Sequence, residues 1–183
     1  ELRLAAGVHI DPEKFRRSAY VSSSCGVCGK ASIDAVRVAG RRPPAGPVLD
    51  PSMPRRWIAA LEGSQPGFAR SGGLHAAAVC SPDGTVLAAA EDVGRHNAVD
   101  KAIGALATIR WPLGEVALAV SGRISFEITQ KAAVVGIPVV AGVSAASSLA
   151  AELGAELGLT VIGFTRGDRF VVYSGAERLG GLD

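Results

Sequence analysis

Short apolar segments alternate along the chain with polar turns, and the spacing of the apolar positions predicts strands and helices in turn. Leu74–Cys80 and Thr85–Ala90 are predicted as two strands, joined by the turn residues Pro82, Asp83 and Gly84. Further strands are predicted at Leu2–Ala6, Val116–Val120, Pro138–Val143, Thr160–Phe164 and Phe170–Tyr173, and helices at Pro54–Leu61, Asn97–Ala107, Ser125–Gly136 and Ser147–Gly158.

The order of these elements predicts an α/β fold. Strands that alternate with helices imply a mixed, mostly parallel sheet covered on both faces, with an antiparallel hairpin early in the domain. The stretch Arg41–Pro54 holds five prolines and one glycine, so it is a connection and not a core element. Residues 1–40 are therefore expected to form a cysteine-bearing loop region, residues 41–64 a connection with one helix, and residues 65–183 the α/β domain.

Composition and charge exclude several classes of protein. Hydrophobic residues make up 48% and charged residues 20% of the 183 positions, as in a folded domain rather than a disordered chain. A net charge of +2 argues against unspecific binding of nucleic acid or of an anionic membrane. No apolar run is long enough to cross a bilayer, and no signal peptide is visible. The chain begins at Glu1, inside an apparent strand, so we expect that an upstream segment precedes it.

The segment Ser22–Lys30 carries two cysteines, Cys25 and Cys28, between serines and glycines. Exposed amides and the nearby Lys30 favour the thiolate, which is the nucleophile in sulfur and redox chemistry. Half of a zinc site and a thioredoxin-like motif remain alternatives, although no second C-x-x-C exists and the strand before Cys25 is weak. Cys80 ends an apolar strand and is expected to be a buried small side chain. Few cysteines without a secretion signal predict a reducing, cytoplasmic environment.

Three polar clusters are predicted to follow strands, at the edge of the sheet where α/β folds bind ligands. In the first, Glu91–Lys101, Arg95 suits a phosphate or carboxylate and His96 suits binding or proton transfer. The alternative is a helix cap formed by Asn97, with Asp100 in the first turn and an ion pair between Arg95 and Glu91. In the second cluster, Arg123 lies at the start of a helix whose free amides suit a phosphate.

The third cluster runs through Phe164, Thr165, Arg166, Gly167, Asp168 and Arg169. The two arginines suit a diphosphate, and Asp168 suits the adjacent N–H groups of a guanine edge. The alternative is a solvated hairpin turn with an internal ion pair. A further candidate, His75, begins a strand in the string His-Ala-Ala, which is similar to the His-Ala-Glu of zinc-dependent deaminases. Ala77 replaces the catalytic glutamate, so deamination is not expected.

Five segments together resemble the formate dehydrogenase accessory sulfurtransferase family, also called the FdhD family. They cover most of the chain in order: SSCGVCGK (23–30), QPGFARSGGLHAAAV (65–79), EDVGRHNAVDKAIG (91–104), SGRISFEITQKAAVVGIPVVAGVSAASSLA (121–150) and LTVIGFTRGDRFVVY (159–173). The resemblance implies a three-layer α/β/α domain like that of cytidine deaminase and a homodimer. It also implies that an N-terminal region of the family is missing here.

The same resemblance implies a function and its residues. A cysteine desulfurase would pass sulfur to Cys25, with Cys28 as partner, and the sulfur would go to the bis-molybdopterin guanine dinucleotide cofactor before its insertion into formate dehydrogenase. That cofactor would be a bound substrate, held by residues 164–169 together with His75, Arg95, His96 and Arg123. No tightly held metal is expected. A cofactor-binding chaperone without sulfur transfer and a structural zinc module remain alternatives.

Overall fold

The computed structural model describes residues 48–181, so the predictions for Leu2–Ala6 and for the cysteine-bearing loop lie outside the described residues. Within that range the chain forms six strands and five α-helices, closed by a short 3-10 helix at Ala176–Arg178. The elements in chain order are α1 (Met53–Glu62), α2 (Pro66–Ser71), β1 (His75–Cys80), β2 (Val86–Asp92), α3 (Arg95–Ala107), β3 (Ala117–Val120), α4 (Phe126–Val134), β4 (Val139–Gly142), α5 (Ser148–Leu157), β5 (Thr160–Arg166) and β6 (Arg169–Ser174).

The strands form one open sheet in the order β2-β1-β3-β4-β5-β6. The central strands β3, β4 and β5 pair in parallel, each pair connected through a helix. The pairings of β1 with β2, of β1 with β3 and of β5 with β6 are antiparallel. The α/β class and the early hairpin predicted from the sequence are thus confirmed, with parallel pairing confined to the middle of the sheet.

Side chains of the strands alternate between two hydrophobic clusters, one on each face of the sheet. In β1, Ala77 and Val79 pack with residues of α3 and α4, whereas Ala76, Ala78 and Cys80 pack with residues of α1. Helices therefore cover both faces, which gives three layers. The small alanines allow the helices to lie close to the sheet, and all five of these side chains are at most 3% exposed.

The strand directions bring most of the chain's polar turns to one end of the sheet, which we call the carboxyl-end edge. β3, β4 and β5 all end there, and the register aligns Val120 of β3 with Gly142 of β4. Antiparallel pairing places the start of β1 and the end of β2 at the same edge, because His75 lies opposite Asp92. The residues that follow four different strands are thus neighbours in space.

Sequence signals account for most element boundaries. The Ser147 hydroxyl accepts a hydrogen bond from the amide of Ala150 at 3.2 Å, which caps α5 as predicted, and Gly158 ends that helix at a φ of 72°. The predicted turn between β1 and β2 also forms, with the Asp83 carboxylate accepting from the amide of Thr85 at 3.0 Å.

The structure differs from the sequence prediction at the start of α3, at the end of β5 and in the presence of α2. α3 begins at Arg95 after an extended Gly94, so Asn97 lies inside the first turn and is not the cap. β5 continues past Phe164 to Arg166, because β6 pairs with it as far as Arg169. The prediction did not include α2, which has only six residues and no buried one, and therefore no apolar periodicity.

The core under α4 gives a first prediction. Ile128 is fully buried against the sheet, whereas Val134 on the same helix is 38% exposed. Replacing Ile128 with Ala should lower the free energy of unfolding by about 2–5 kcal/mol, because it leaves a cavity. Val134→Ala is the matched control and should change it by about 0.5 kcal/mol or less. Urea denaturation followed by circular dichroism measures both, and equal effects would contradict the assigned packing of α4.

Candidate functional site

The first turn of α3 and the loop after β3 meet beside the start of β1. A Cβ placed on Gly122 would lie 3.2 Å from Nδ1 of His75 and 3.4 Å from Cδ of Arg95. The two side chains therefore flank the backbone of Gly122, and any side chain at that position would crowd both. The structure thus brings together His75 and Arg95, which come from separate sequence motifs, with Arg123 one residue further along the same loop.

His96 faces Glu127 across the gap between α3 and α4. Its Nδ1 lies 3.4 Å from Oε2 of Glu127, and both side chains are about one quarter exposed. Burial lowers the pKa of His96 below its usual value of 6.5, and the negative charge of Glu127 opposes that shift. Next to this pair, the hydroxyl of Ser125 at the start of α4 is buried without a hydrogen-bond partner in the part of the chain that the structure describes.

The carboxylate of Asp92 fixes the turn between β2 and α3. It accepts hydrogen bonds from the amide of Gly94 at 2.9 Å, from Nδ2 of Asn97 at 3.0 Å and from Nζ of Lys101 at 2.5 Å. The bond from Lys101, followed by those from Gly94 and Asn97, lowers the pKa of Asp92 to about 2. Asn97 therefore supports this turn through Asp92 rather than as the helix cap, which corrects the sequence prediction.

The carboxylate of Glu91 holds α2 against the sheet. Oε2 accepts from the amide of Gly67 and Oε1 from the amide of Phe68, both at 2.7 Å. A carboxylate at the start of a helix satisfies amides that have no partner within the helix. This geometry replaces the predicted ion pair between Glu91 and Arg95. The sequence prediction places Asp100 in the first turn, but α3 begins at Arg95, so Asp100 lies beyond that turn and pairs with Lys131 of α4 at 2.6 Å.

Because α2 is held in this way, a pocket of about 400 Å³ opens between it and the carboxyl-end edge. We call it the edge pocket. Its size is in the range of sites for small molecules. It is lined by residues from the end of α1, from the α2 segment, from the start of β1 and from the ends of β3 and β4, namely Glu62, Gln65, Phe68, Gly72, Gly73, Leu74, His75, Ser121 and Val143.

The hairpin of β5 and β6 carries the third predicted cluster. Phe164 has a φ of 52°, which is rare for a residue other than glycine. Thr165 is 1% exposed, and its hydroxyl has no hydrogen-bond partner among residues 48–181. Arg166 and Arg169 lie opposite each other in the register and are exposed, so the hairpin presents two like charges together. Such a pair suits an anionic ligand.

The turn between those strands makes one ion pair that the sequence prediction placed differently. Asp168, after Gly167, contacts Arg55 of α1 and not an arginine of its own turn. Both side chains are exposed, at 83% for Asp168 and 50% for Arg55. The turn is thus linked to the neighbouring helix through a contact between residues 113 positions apart.

Of the three cysteines, the structure describes Cys80; Cys25 and Cys28 lie outside the described residues. Cys80 is fully buried at the end of β1, and burial raises the pKa of its thiol to about 11. A thiol of that kind is neither accessible nor ionised at neutral pH. Cys80 also lies at the opposite end of β1 from His75, about 16 Å away along an extended strand. These two residues therefore cannot complete one zinc site.

Sequence reasoning missed most of the edge pocket. Of its lining residues, the sequence prediction named His75 as a site residue and omitted Glu62, Gln65 and Phe68. Glu62 and Gln65 resemble ordinary exposed positions at the end of a helix. The nearest sequence signal is the Gly72-Gly73 pair before a strand. Such a pair predicts a tight turn, but it does not predict which side chains lie next to that turn.

Comparisons with known proteins show which family this chain resembles along nearly its whole length. The model of the FdhD/NarQ family matches residues 2–180. A sulfur carrier protein FdhD of Anaeromyxobacter sp. (strain K) is 50% identical over 190 residues, which cover 98% of this chain and 66% of that protein. The protein of the same name from Streptomyces coelicolor is 50% identical over 187 residues, covering 98% of this chain and 65% of that protein. This chain thus spans about two thirds of the length of the curated relatives it matches.

The fold also resembles that of solved structures. The crystal structure of a formate dehydrogenase accessory protein from Desulfotalea psychrophila superimposes with a TM-score of 0.69 at 28% sequence identity. The match covers 79% of this chain and 61% of that one. The described α/β sheet therefore has the fold of that protein.

The bonds of Glu91 to α2 give a second prediction. Replacing Glu91 with Ala should raise the hydrogen-exchange rates of the Gly67 and Phe68 amides about tenfold, because both lose a bond to a charged acceptor. Exchange in β1 should not change. Glu152→Ala, at an exposed position of α5, is the control and should leave all of these rates unaltered. Unchanged exchange at Gly67 and Phe68 in the Glu91 variant would contradict the role of this carboxylate.

The environment of His96 gives a third prediction, in pH dependence. Because burial lowers its pKa in the folded state, the unfolded chain binds more protons below pH 6.5, and stability should fall as the pH drops through that range. Glu127→Gln removes the charge that favours the protonated ring, so it should lower the pKa of His96 further. An NMR titration of the imidazole in both proteins measures this. A higher pKa in the Gln variant would refute the assigned pair.

Proposed function

Because this chain belongs to the FdhD/NarQ family, we propose that it carries sulfur on Cys25 and Cys28 for the maturation of formate dehydrogenase. The observation that supports this most is identity of about half of all positions with proteins named sulfur carrier protein FdhD, over 98% of the chain. The third cysteine, Cys80, is buried and unsuited to carry sulfur, which leaves the pair at 25 and 28 for that role.

The proposed reaction begins with transfer from a cysteine desulfurase. The Cys25 thiolate attacks the outer sulfur of the donor's persulfide. A new S–S bond forms on Cys25 as the donor's S–S bond breaks, and the donor cysteine leaves as a thiolate. No net oxidation occurs, because the outer sulfur passes between two thiolates. The result is a persulfide on Cys25.

The second step delivers the sulfur to the metal of the cofactor. The Cys28 thiolate attacks the inner sulfur of the Cys25 persulfide, so a disulfide forms between the two cysteines and the outer sulfur leaves as sulfide. The two electrons that reduce the outer sulfur come from the cysteine pair, which is oxidised to the disulfide. A second thiol three positions from the first is what this release requires, and Cys28 occupies that position.

We further propose that bis-molybdopterin guanine dinucleotide is bound as substrate at the carboxyl-end edge. Arg166 and Arg169 supply positive charge for its diphosphate groups, and the buried hydroxyl of Thr165 has a hydrogen bond left to make. Phe164, Gly167 and Asp168 complete that segment. His75, Arg95, His96 and Arg123 extend the same edge toward α3 and α4.

The other expectations follow from the same proposal. The partners are a cysteine desulfurase, formate dehydrogenase and a second copy of this chain, and the place of action is the cytoplasm. Among residues 48–181, no helix is long and apolar enough to span a membrane.

A second candidate function is a chaperone that binds the molybdopterin nucleotide without transferring sulfur. The observation in its favour is that the cations and the edge pocket lie together on the α/β domain. Nucleotide binding by a protein whose Cys25 and Cys28 stay inert would support this candidate over the sulfur carrier.

The carrier role gives a fourth prediction. After incubation with a cysteine desulfurase and cysteine, alkylated protein should show one added sulfur atom on Cys25 or Cys28 by mass spectrometry of its peptides. Cys25→Ala should abolish transfer of that sulfur onward. Cys80 is the internal control, since a buried thiol with a raised pKa should stay unmodified while the protein is folded. Unmodified Cys25 and Cys28 in folded protein would overturn the carrier role.

A further inference from the structure

Helix α2 is bonded to the rest of the fold through one side chain. It has six residues, and none of them is buried. Within residues 48–181, its only hydrogen bonds to another helix or strand run from the amides of Gly67 and Phe68 to the carboxylate of Glu91, both at 2.7 Å. Its other bonds are local, such as the one from the Ser71 hydroxyl to the Gly67 carbonyl at 2.8 Å. A helix this short is not stable in water by itself, so the position of α2 depends on Glu91.

A glycine lies on each side of α2 at a position where the closed structure does not require one. Gly63 has a φ of −65°, and a Cβ placed there would lie 3.6 Å from the carbonyl oxygens of Ala59 and Ala60, which is an ordinary contact. A Cβ on Gly73 would meet only the carbonyl oxygen of Ser71, at 3.9 Å. Neither crowding nor a left-handed backbone accounts for these two glycines. What glycine adds at such positions is backbone freedom, which is the property of a hinge.

Helix α2 forms one wall of the edge pocket. Phe68 lines the pocket from this helix, and Gly72 and Gly73 continue the wall after it. The other walls are built by the end of α1, the start of β1 and the ends of β3 and β4, whose side chains form the two hydrophobic clusters. Of the walls of this pocket, α2 is therefore the one that can move while the core stays intact.

The carboxylate that holds α2 stands on a fixed base. Glu91 lies opposite Ala76 in the antiparallel pairing of β2 with β1. The next residue, Asp92, accepts hydrogen bonds from three donors at the start of α3. Glu91 itself is not part of the pocket lining that the described residues form. It acts on the pocket only through α2.

We propose that α2 is a hinged flap of the edge pocket, held closed by Glu91, and that it swings about Gly63 and Gly73 to let the substrate enter and leave. The flap closes again over the bound molecule, so the closed shape is the same with and without it. Glu91 is then a positioning residue, because it contacts α2 and not the substrate. The inference rests on the proposed function, in which the substrate binds at the carboxyl-end edge, and it adds a gating step to that function.

A flap and a fixed wall differ in their binding kinetics. If the substrate passes only while α2 is open, the rate constants of association and dissociation are both proportional to the open fraction. Weakening the bond that holds α2 then raises both by the same factor and leaves Kd nearly unchanged. If α2 is a fixed wall, loss of its support weakens its contacts with the bound molecule, which raises the dissociation rate constant alone.

Two variants shift the flap in opposite directions. Glu91→Ala removes both bonds to α2 and should raise both rate constants about tenfold. Gly63→Ala restricts one hinge, at a position with room for a methyl group, and should lower both about threefold. Glu152→Ala on α5 and Gly104→Ala on α3 are the matched controls and should change neither rate constant. Glu152 is exposed, and a Cβ on Gly104 would meet nothing within 4 Å.

The probe is guanosine diphosphate with a fluorescent methylanthraniloyl group on its ribose, mixed with the 183-residue chain in a stopped-flow instrument. This molecule carries the guanine and the diphosphate of the proposed substrate. Circular dichroism of each variant checks that it is folded. Gly63→Ala keeps α2 and its bonds to Glu91, so it decides alone if α2 unfolds in the Glu91 variant.

The flap requires that both rate constants rise in Glu91→Ala and fall in Gly63→Ala, with Kd little changed. A dissociation rate constant that rises alone, or rate constants equal to those of the wild type in both variants, overturns it. Persulfide formation on Cys25 is measured in the same proteins. An overturned flap with nucleotide binding and persulfide intact rejects this inference alone. Absence of nucleotide binding by the wild-type protein rejects the proposed substrate site and the flap with it, whereas absence of the persulfide rejects the carrier role alone.

Discussion

Burial of the central strands on both faces is the constraint on which the rest of the structure depends. In β1, β3 and β4 nearly every side chain is enclosed by a helix above or below the sheet. Strands buried in this way have no surface on which to place polar groups. The chain therefore carries them in the segments after the strands, and the shared direction of β3, β4 and β5 brings those segments to one edge.

The charged side chains at that edge are of two kinds: some are bonded to other groups of the protein, and others are exposed to solvent. The carboxylates of Glu91 and Asp92 are used within the protein, where they hold α2 and the start of α3 through bonds to backbone amides and neighbouring side chains. Arg166 and Arg169 are exposed beside each other. This division fits a site whose shape is fixed before a ligand arrives, because the groups that set the geometry are not those that face the solvent.

Much of this arrangement is predictable from local signals. Apolar spacing and caps predict the strands and α5, and the three polar clusters are predicted at strand ends because they follow apolar runs directly. Two things are not predictable in this way. The helix α2 is too short to show a periodic apolar pattern. Its position also depends on the carboxylate of Glu91, which lies 24 residues further along the chain. The pairing of Asp168 with Arg55 joins positions 113 residues apart, which no local spacing encodes.

The contact between Arg55 and Asp168 makes the tip of the β5–β6 hairpin respond to dissolved salt. Both side chains are exposed, and ion pairs in water are weakened by dissolved salt, which screens charges beyond about 10 Å at 0.1 M. Arg166 and Arg169 lie on either side of the turn that carries Asp168, so an anion bound between them would repel the Asp168 carboxylate. The tip of the hairpin is thus sensitive to ionic strength, whereas β5, most of which is buried in the sheet, is not.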